Sequence, residues 1–127
     1  MTDLSVNIAG VTLHNPVITA SGTFGFGHEY AEFYPLSKLG GISCKGITLE
    51  ERLGNPPPRI AETPSGMLNA VGLQYPGVDH FIRQDLPWLK QQGTAVIANI
   101  AGNTPEEYCT MAEKLSDSDV DLIEMNI

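Results

Sequence analysis

Lys45 stands between Cys44 and Gly46 in the apolar run GISCKGIT, residues 41–48. An isolated lysine at such a place is most often one that snorkels to a rim. Three asparagines change its weight: Asn69, Asn99 and Asn126 each interrupt or close another apolar stretch. A carboxamide donates and accepts at once, and any single one commonly satisfies nearby backbone. One ammonium among neutral amides would suit an anionic group on a small planar ligand, and the amides would pair with the imide edge of a pyrimidine or a flavin ring. Gly46, lacking a Cβ, would let such a ring approach the backbone closely. If Lys45 points into a site, strand alternation turns Cys44 the other way, toward covering helices. Cys44 then reads as a buried structural thiol.

Other candidates carry less. The glycines of GTFGFG (22–27) fall in the wrong order for a dinucleotide fingerprint, and no strong helix opens from them. His14, His28 and His80 lack metal-ligand spacing, and Glu106-Glu107 reads as an acidic first helical turn. No metal is assigned.

The elements that must position these residues alternate along the chain. LSVNIAGVTL (4–13) reads as a hairpin turning at Ala9-Gly10. PVITASG (16–22), GISCKGIT (41–48), TAVIANIAG (94–102) and DLIEMNI (121–127) read as buried strands. HEYAEFYPLSKLG (28–40) has helical spacing broken by Pro35, and VDHFIRQDLPWLKQQG (78–93) reads as an amphipathic helix disturbed near Pro87 and stopped by Gly93. TPEEYCTMAEKLSD (104–117) is a helix with Thr104 as cap, Pro105 in the first position and Glu107 three residues after the cap. Between about 50 and 77 lies a Pro/Gly-rich excursion whose stretch ETPSGMLNAVGLQYPG (62–77) is apolar yet punctuated like a loop.

Near-continuously apolar strands alternating with helices predict an α/β fold with a parallel sheet. Ser21, Lys45, Asn99 and Asn126 each fall at the C-terminal end of a different strand, the arrangement by which (β/α)8 barrels assemble their sites. A doubly wound sheet would concentrate the site at one switch point. The expected architecture is therefore about four βα units of a (β/α)8 TIM barrel, preceded by a short β-hairpin. Such a barrel takes about 250 residues; the chain has 127 and reads as a single partial domain, 1–127, the N-terminal part of a longer barrel.

Composition bounds the partners. Hydrophobic residues make up 42% and charged residues 17%, as in a globular protein. Seven basic against 15 acidic residues give a net charge of −8 without a basic cluster, which disfavours nucleic acid. No signal-like start or bilayer-length apolar run is present, and two cysteines without metal spacing suit a reducing compartment, so a cytoplasmic location is expected.

With these residues in view, the chain resembles the N-terminal part of dihydroorotate dehydrogenases, in particular the class 1B catalytic subunits. NPVITASGTFGFGHEY (15–30), KGITLEERLGNPPPR (45–59), ETPSGMLNAVGLQYPG (62–77), ANIAG (98–102) and IEMNI (123–127) carry the likeness over nearly the whole chain, in order and at the family's spacing. The resemblance implies a barrel with FMN at its mouth that oxidises (S)-dihydroorotate to orotate in pyrimidine synthesis. A base takes the C5 proton while the C6 hydride passes to the flavin. By the same resemblance Ala20, Ser21 and Gly22 line FMN, with Gly46 and Asn99 also at the cofactor. Lys45 and Asn126 touch cofactor and substrate, Lys45 matching the orotate carboxylate. Asn69, Ala70, Val71, Gly72 and Leu73 form the substrate loop. It further implies a partner iron–sulfur flavoprotein subunit, carrying FAD and a 2Fe-2S cluster, that passes electrons to NAD+ in a heterotetramer.

Tyr75 departs from the family's usual asparagine in GLQNPG. The family's catalytic cysteine, in Ser-Cys-Pro-Asn, would fall two residues past Ile127, so these residues alone are not expected to catalyse. Two other readings exist: another FMN barrel such as a dihydrouridine synthase, which the acidic charge disfavours, and a half-barrel ligand-binding or assembly module without catalysis.

Overall fold

A computed structural model of the chain describes residues 2–127. The expected hairpin is present: β1 (Val6–Ile8) pairs antiparallel with β2 (Val11–Leu13). Its two-residue turn places Ala9 and Gly10 at positive φ, 49° and 91°, the geometry that matches the twist of paired strands.

The body of the fold is a four-stranded sheet of β3 (Ile18–Thr19), β4 (Gly41–Ser43), β7 (Ala95–Ile100) and β8 (Leu122–Met125). All neighbours are parallel, and spatial order follows chain order without reversal. A doubly wound sheet would reverse its order at a switch point; continuous order is that of a barrel arc. Three crossovers join the four strands. The first carries two single helical turns, α1 (Ser21–Phe24) and α2 (His28–Ala31), and a 3-10 turn at Leu36–Lys38. The second holds α3 (Val78–His80), a π-helical turn at Phe81–Asp85 and α4 (Leu86–Lys90). The third is α5 (Pro105–Ser116).

Register separates the two faces of the sheet. Ile42, Cys44, Val96, Ala98 and Ile100 are buried against Phe81, Leu89, Met111 and Leu115 of the helices. The opposite, inner face carries Ile18, Gly41, Ser43, Ile97, Asn99 and Glu124, in the positions that the parallel pairings bring side by side. A Cβ on Gly41 would meet Ile97 and Ile18 at 3.4 and 3.5 Å, which fixes the direction of that face.

Several local expectations need correction. The strand expected over 16–22 is limited to Ile18–Thr19, because Ala20 caps a helical turn and its carbonyl accepts from Thr23 and Phe24. Ser21 and Gly22 thus open α1 rather than end a strand. The helix expected over 28–40 is a single turn, and Phe33, just past it, is 82% exposed. The strand at 41–48 pairs regularly only to Ser43, although Ile47 returns to bridge Ile100. The helix over 78–93 runs on through Pro87 by widening to a π turn just before it; proline lacks the N–H an α turn needs and crowds the carbonyl four residues back. Thr104 caps α5 by accepting from the Glu107 N–H at 3.3 Å, but the Glu107 carboxylate reaches Asn103 N at 2.6 Å instead of Thr104.

The excursion at 50–77 contains an element the composition concealed. β5 (Ile60–Thr63) and β6 (Gly66–Asn69) form an antiparallel hairpin turning at Pro64-Ser65. All eight of its strand residues are exposed, Met67 and Leu68 among them.

Candidate active site

Asn99 stands near the C-terminal end of β7, and Lys45 and Asn126 follow the ends of β4 and β8. Asn99 is only 2% exposed, and its Oδ1 is buried with no hydrogen-bond partner among the described residues. Its backbone is firmly held, the carbonyl accepting from Ile47 N at 2.7 Å. A buried acceptor without a donor costs of order 1–3 kcal/mol unless something supplies one. Gly46 lies directly beside it: a Cβ there would sit 3.4 Å from Asn99 Oδ1 and 2.9 Å from Leu73 Cδ2. The absence of a side chain therefore brings Asn99, the backbone at 46 and Leu73 together.

Lys45 is half-buried, two residues beyond Ser43 at the end of β4. Its N–H donates to Gly25 O at 3.0 Å, which draws the loop after α1 against the strand end. The lysine–carboxylate pairs among the described residues join Lys90 to Asp121 and Lys114 to Asp79, and Asp85 faces the imidazoles of His28 and His80; none of these contacts involves Lys45. Asn126 continues the row one strand over; its N–H donates to Ile100 O at 2.9 Å and its carbonyl accepts from Tyr108 Oη. Its side chain is exposed.

The loop 69–73 is fixed from below. Ala70 N donates to Arg59 O at 2.8 Å, and Asn55 holds Val71 O and Ala70 O at 3.0 Å each. The Arg59 guanidinium spans Asn55 O, Leu53 O and Gln74 Oε1. Gly72 and Leu73 have φ of 81° and 54°. Leucine rarely adopts that backbone, which costs it about 1–2 kcal/mol; the return is a side chain laid on Gly46. Asn69 itself ends β6, paired with Ile60, and its side chain is exposed. Leu73, Gly46 and Asn99 are thus in contact and Lys45 adjoins them, whereas no hydrogen bond joins Asn69, Asn126 or Ala20–Gly22 to that cluster among the described residues.

Two inner-face residues escaped the sequence reading. Ser43 Oγ donates to Glu124 Oε2 at 2.5 Å, reaching across β7 one layer below Asn99. Period-two alternation in LIEMN puts Glu124 on the same face as Asn126, a signal that was present but unused.

Cys44 faces the helices, fully buried, as alternation requires. Burial, reinforced by the nearby Asp85 carboxylate, pushes its thiol up to about 12. The raised value favours the folded state fully below the free-thiol range near 9 and is lost as pH rises toward about 12. Cys44 is expected to stay unmodified by iodoacetamide at pH 8 until the protein is unfolded, read by peptide mass mapping; labelling at the rate of a free thiol would contradict its burial.

The sequence profile described as dihydroorotate dehydrogenase matches residues 3–127. The chain belongs to the dihydroorotate dehydrogenase family. Among curated relatives it is 57% identical over 127 residues to a protein of Petrotoga mobilis, covering 100% of this chain and 42% of that one. It is 59% identical over 125 residues to one of Alkaliphilus metalliredigens, covering 98% and 41%. A third, from Anoxybacillus flavithermus, is 55% identical over 128 positions, covering 100% and 41%. All three relatives are named dihydroorotate dehydrogenase B (NAD(+)), catalytic subunit. The chain spans about two-fifths of their length. For a dihydroorotate dehydrogenase the barrel arc is the appropriate scaffold, and no helix among the described residues is long and apolar enough to cross a membrane.

Proposed function

We propose that these residues form the N-terminal part of a cytoplasmic, FMN-dependent enzyme that oxidises (S)-dihydroorotate to orotate. The observation that carries the reading is the buried Asn99 Oδ1, without a hydrogen-bond partner among the described residues, beside the bare backbone of Gly46; the preceding residue, Lys45, makes no ion pair among those residues. An acceptor, a flat surface and a cation are what a planar imide ring and an anionic group need.

These features fit FMN. Asn99 would accept from the ring, Gly46 would let it lie close, and Ala20, Ser21 and Gly22 would line it, with Lys45 and Asn126 reaching cofactor and substrate. When bound, FMN supplies the two-electron acceptor for the substrate hydride. The chain's own residues bind and orient: Lys45 neutralises the substrate carboxylate, Asn69 reads the pyrimidine edge, and Ala70–Leu73 cover the ring. The proton at C5 needs a base that this stretch does not offer, since Cys44 points to the helices and is held neutral. A cysteine from the following stretch of the longer protein would take that role. Electrons would leave through an iron–sulfur flavoprotein subunit with FAD and a 2Fe-2S cluster to NAD+, in a heterotetramer.

Anaerobic addition of (S)-dihydroorotate to the full-length flavoprotein is expected to bleach the flavin absorbance within one turnover. A flavin that stays oxidised would refute the substrate assignment, and a protein purified without flavin at any concentration of added FMN would refute the cofactor.

A further inference from the structure

Tyr75, at the outer end of the 69–75 segment, is only 7% exposed. Its hydroxyl donates to Asp85 Oδ2 in the π turn at the foot of α4. Its backbone is locked to Arg52 by a reciprocal pair, Arg52 N to Tyr75 O at 2.7 Å and Tyr75 N to Arg52 O at 2.9 Å. Its ring stacks on Phe26, centroids 5.0 Å apart. These contacts join two loops that flank the same strand end. Phe26 follows Gly25, whose carbonyl holds Lys45 N; Tyr75 lies two residues after Leu73, which lies on Gly46.

We infer that Tyr75 is a positioning residue: anchored on Asp85, it clamps the loop 20–27 to the loop 69–75 across the end of β4, and so sets where Lys45 and the 69–73 segment meet a ligand. The inference rests on the reading of 69–73 as a ligand-contacting loop. Burial and the adjacent Asp85 carboxylate raise the phenol far above its ordinary range, so the hydroxyl stays a donor at any working pH. The Phe26 stack would survive removal of the hydroxyl, which makes Tyr75→Phe a selective cut of the Asp85 anchor.

The test uses the full-length protein, with Tyr75→Phe, Asp85→Ala and the double variant. Losing a hydrogen bond to a carboxylate is expected to raise KM for dihydroorotate, and Kd for orotate, about tenfold with kcat little changed. Because the two groups act as one unit, the double variant should be no worse than Asp85→Ala alone. Amide hydrogen exchange should quicken in 22–27 and 69–73 while β4 and β7 keep their protection. Unchanged KM and exchange in Tyr75→Phe, or fully additive losses in the double variant, would overturn the inference. Should wild-type protein bind neither orotate nor dihydroorotate while loop exchange still responds to Tyr75→Phe, the substrate reading fails and the clamp stands.

Discussion

Lys45→Ala is expected to lower kcat/KM for dihydroorotate by roughly 100- to 1000-fold, while leaving the unfolding free energy within about 0.5 kcal/mol of wild type. The two halves of that result have separate causes. The Lys45 ammonium makes no ion pair among the described residues, so its removal breaks no charge pair of the fold. Beneath a bound ring and beside the buried Asn99, the same charge would act in a site shielded from water, where one charge-assisted contact is worth about 3–4 kcal/mol. Steady-state kinetics and denaturant unfolding of the flavin-loaded protein measure both. A large loss of stability, or unaltered kinetics, would contradict the role assigned to Lys45.

Gly40→Ala carries the largest expected effect on stability. A Cβ at that position would lie 1.9 Å from Asn15 O and 2.9 Å from Asn15 C, both backbone atoms. Asn15 is not free to retreat. Its side chain accepts from Val17 N at 2.9 Å and Gly40 N at 3.1 Å, and donates to Lys38 O at 2.9 Å. Through that hub the residues entering β3 and those entering β4 are bound to one another, so the added methyl must push the strands apart. The expected loss is about 3 kcal/mol or more, read as a lower denaturant midpoint at fixed FMN concentration. Gly66→Ala is the control: it meets only Thr63 Oγ1 at 3.7 Å, an ordinary contact, and should be near neutral. Equal midpoints for the two variants would contradict the packing at Asn15.

What the sequence disclosed depended on how local each signal was. The Ala9-Gly10 turn, the Thr104 cap and the burial of Cys44 against the helices are set by neighbours within a few residues, and all three are realised. The parallel arc was legible because near-continuously apolar strands alternate with helices, although Ser21, expected at a strand end, opens α1. Partners distant in sequence left no local trace. Ser43 and Glu124 are 81 residues apart, and nothing in either strand's pattern announces their bond. The β5–β6 hairpin was hidden because Pro64-Ser65 lacks the glycine of a common tight turn and because its strands bury no face. Tyr75 read as a departure at the outer end of a loop; its anchor, Asp85, lies on the following helix and is visible only in three dimensions.

The central claim is that Lys45, Gly46 and Asn99 hold a flavin and its substrate at the ends of the inner-face strands. A crystal structure of the full-length protein with FMN and orotate tests it most directly. Asn99 Oδ1 is expected to accept a hydrogen bond from the flavin, the ring to lie against Gly46, and Lys45 Nζ to reach the orotate carboxylate. Flavin bound elsewhere, with Asn99 Oδ1 still without a donor and Lys45 turned to solvent, would contradict the account.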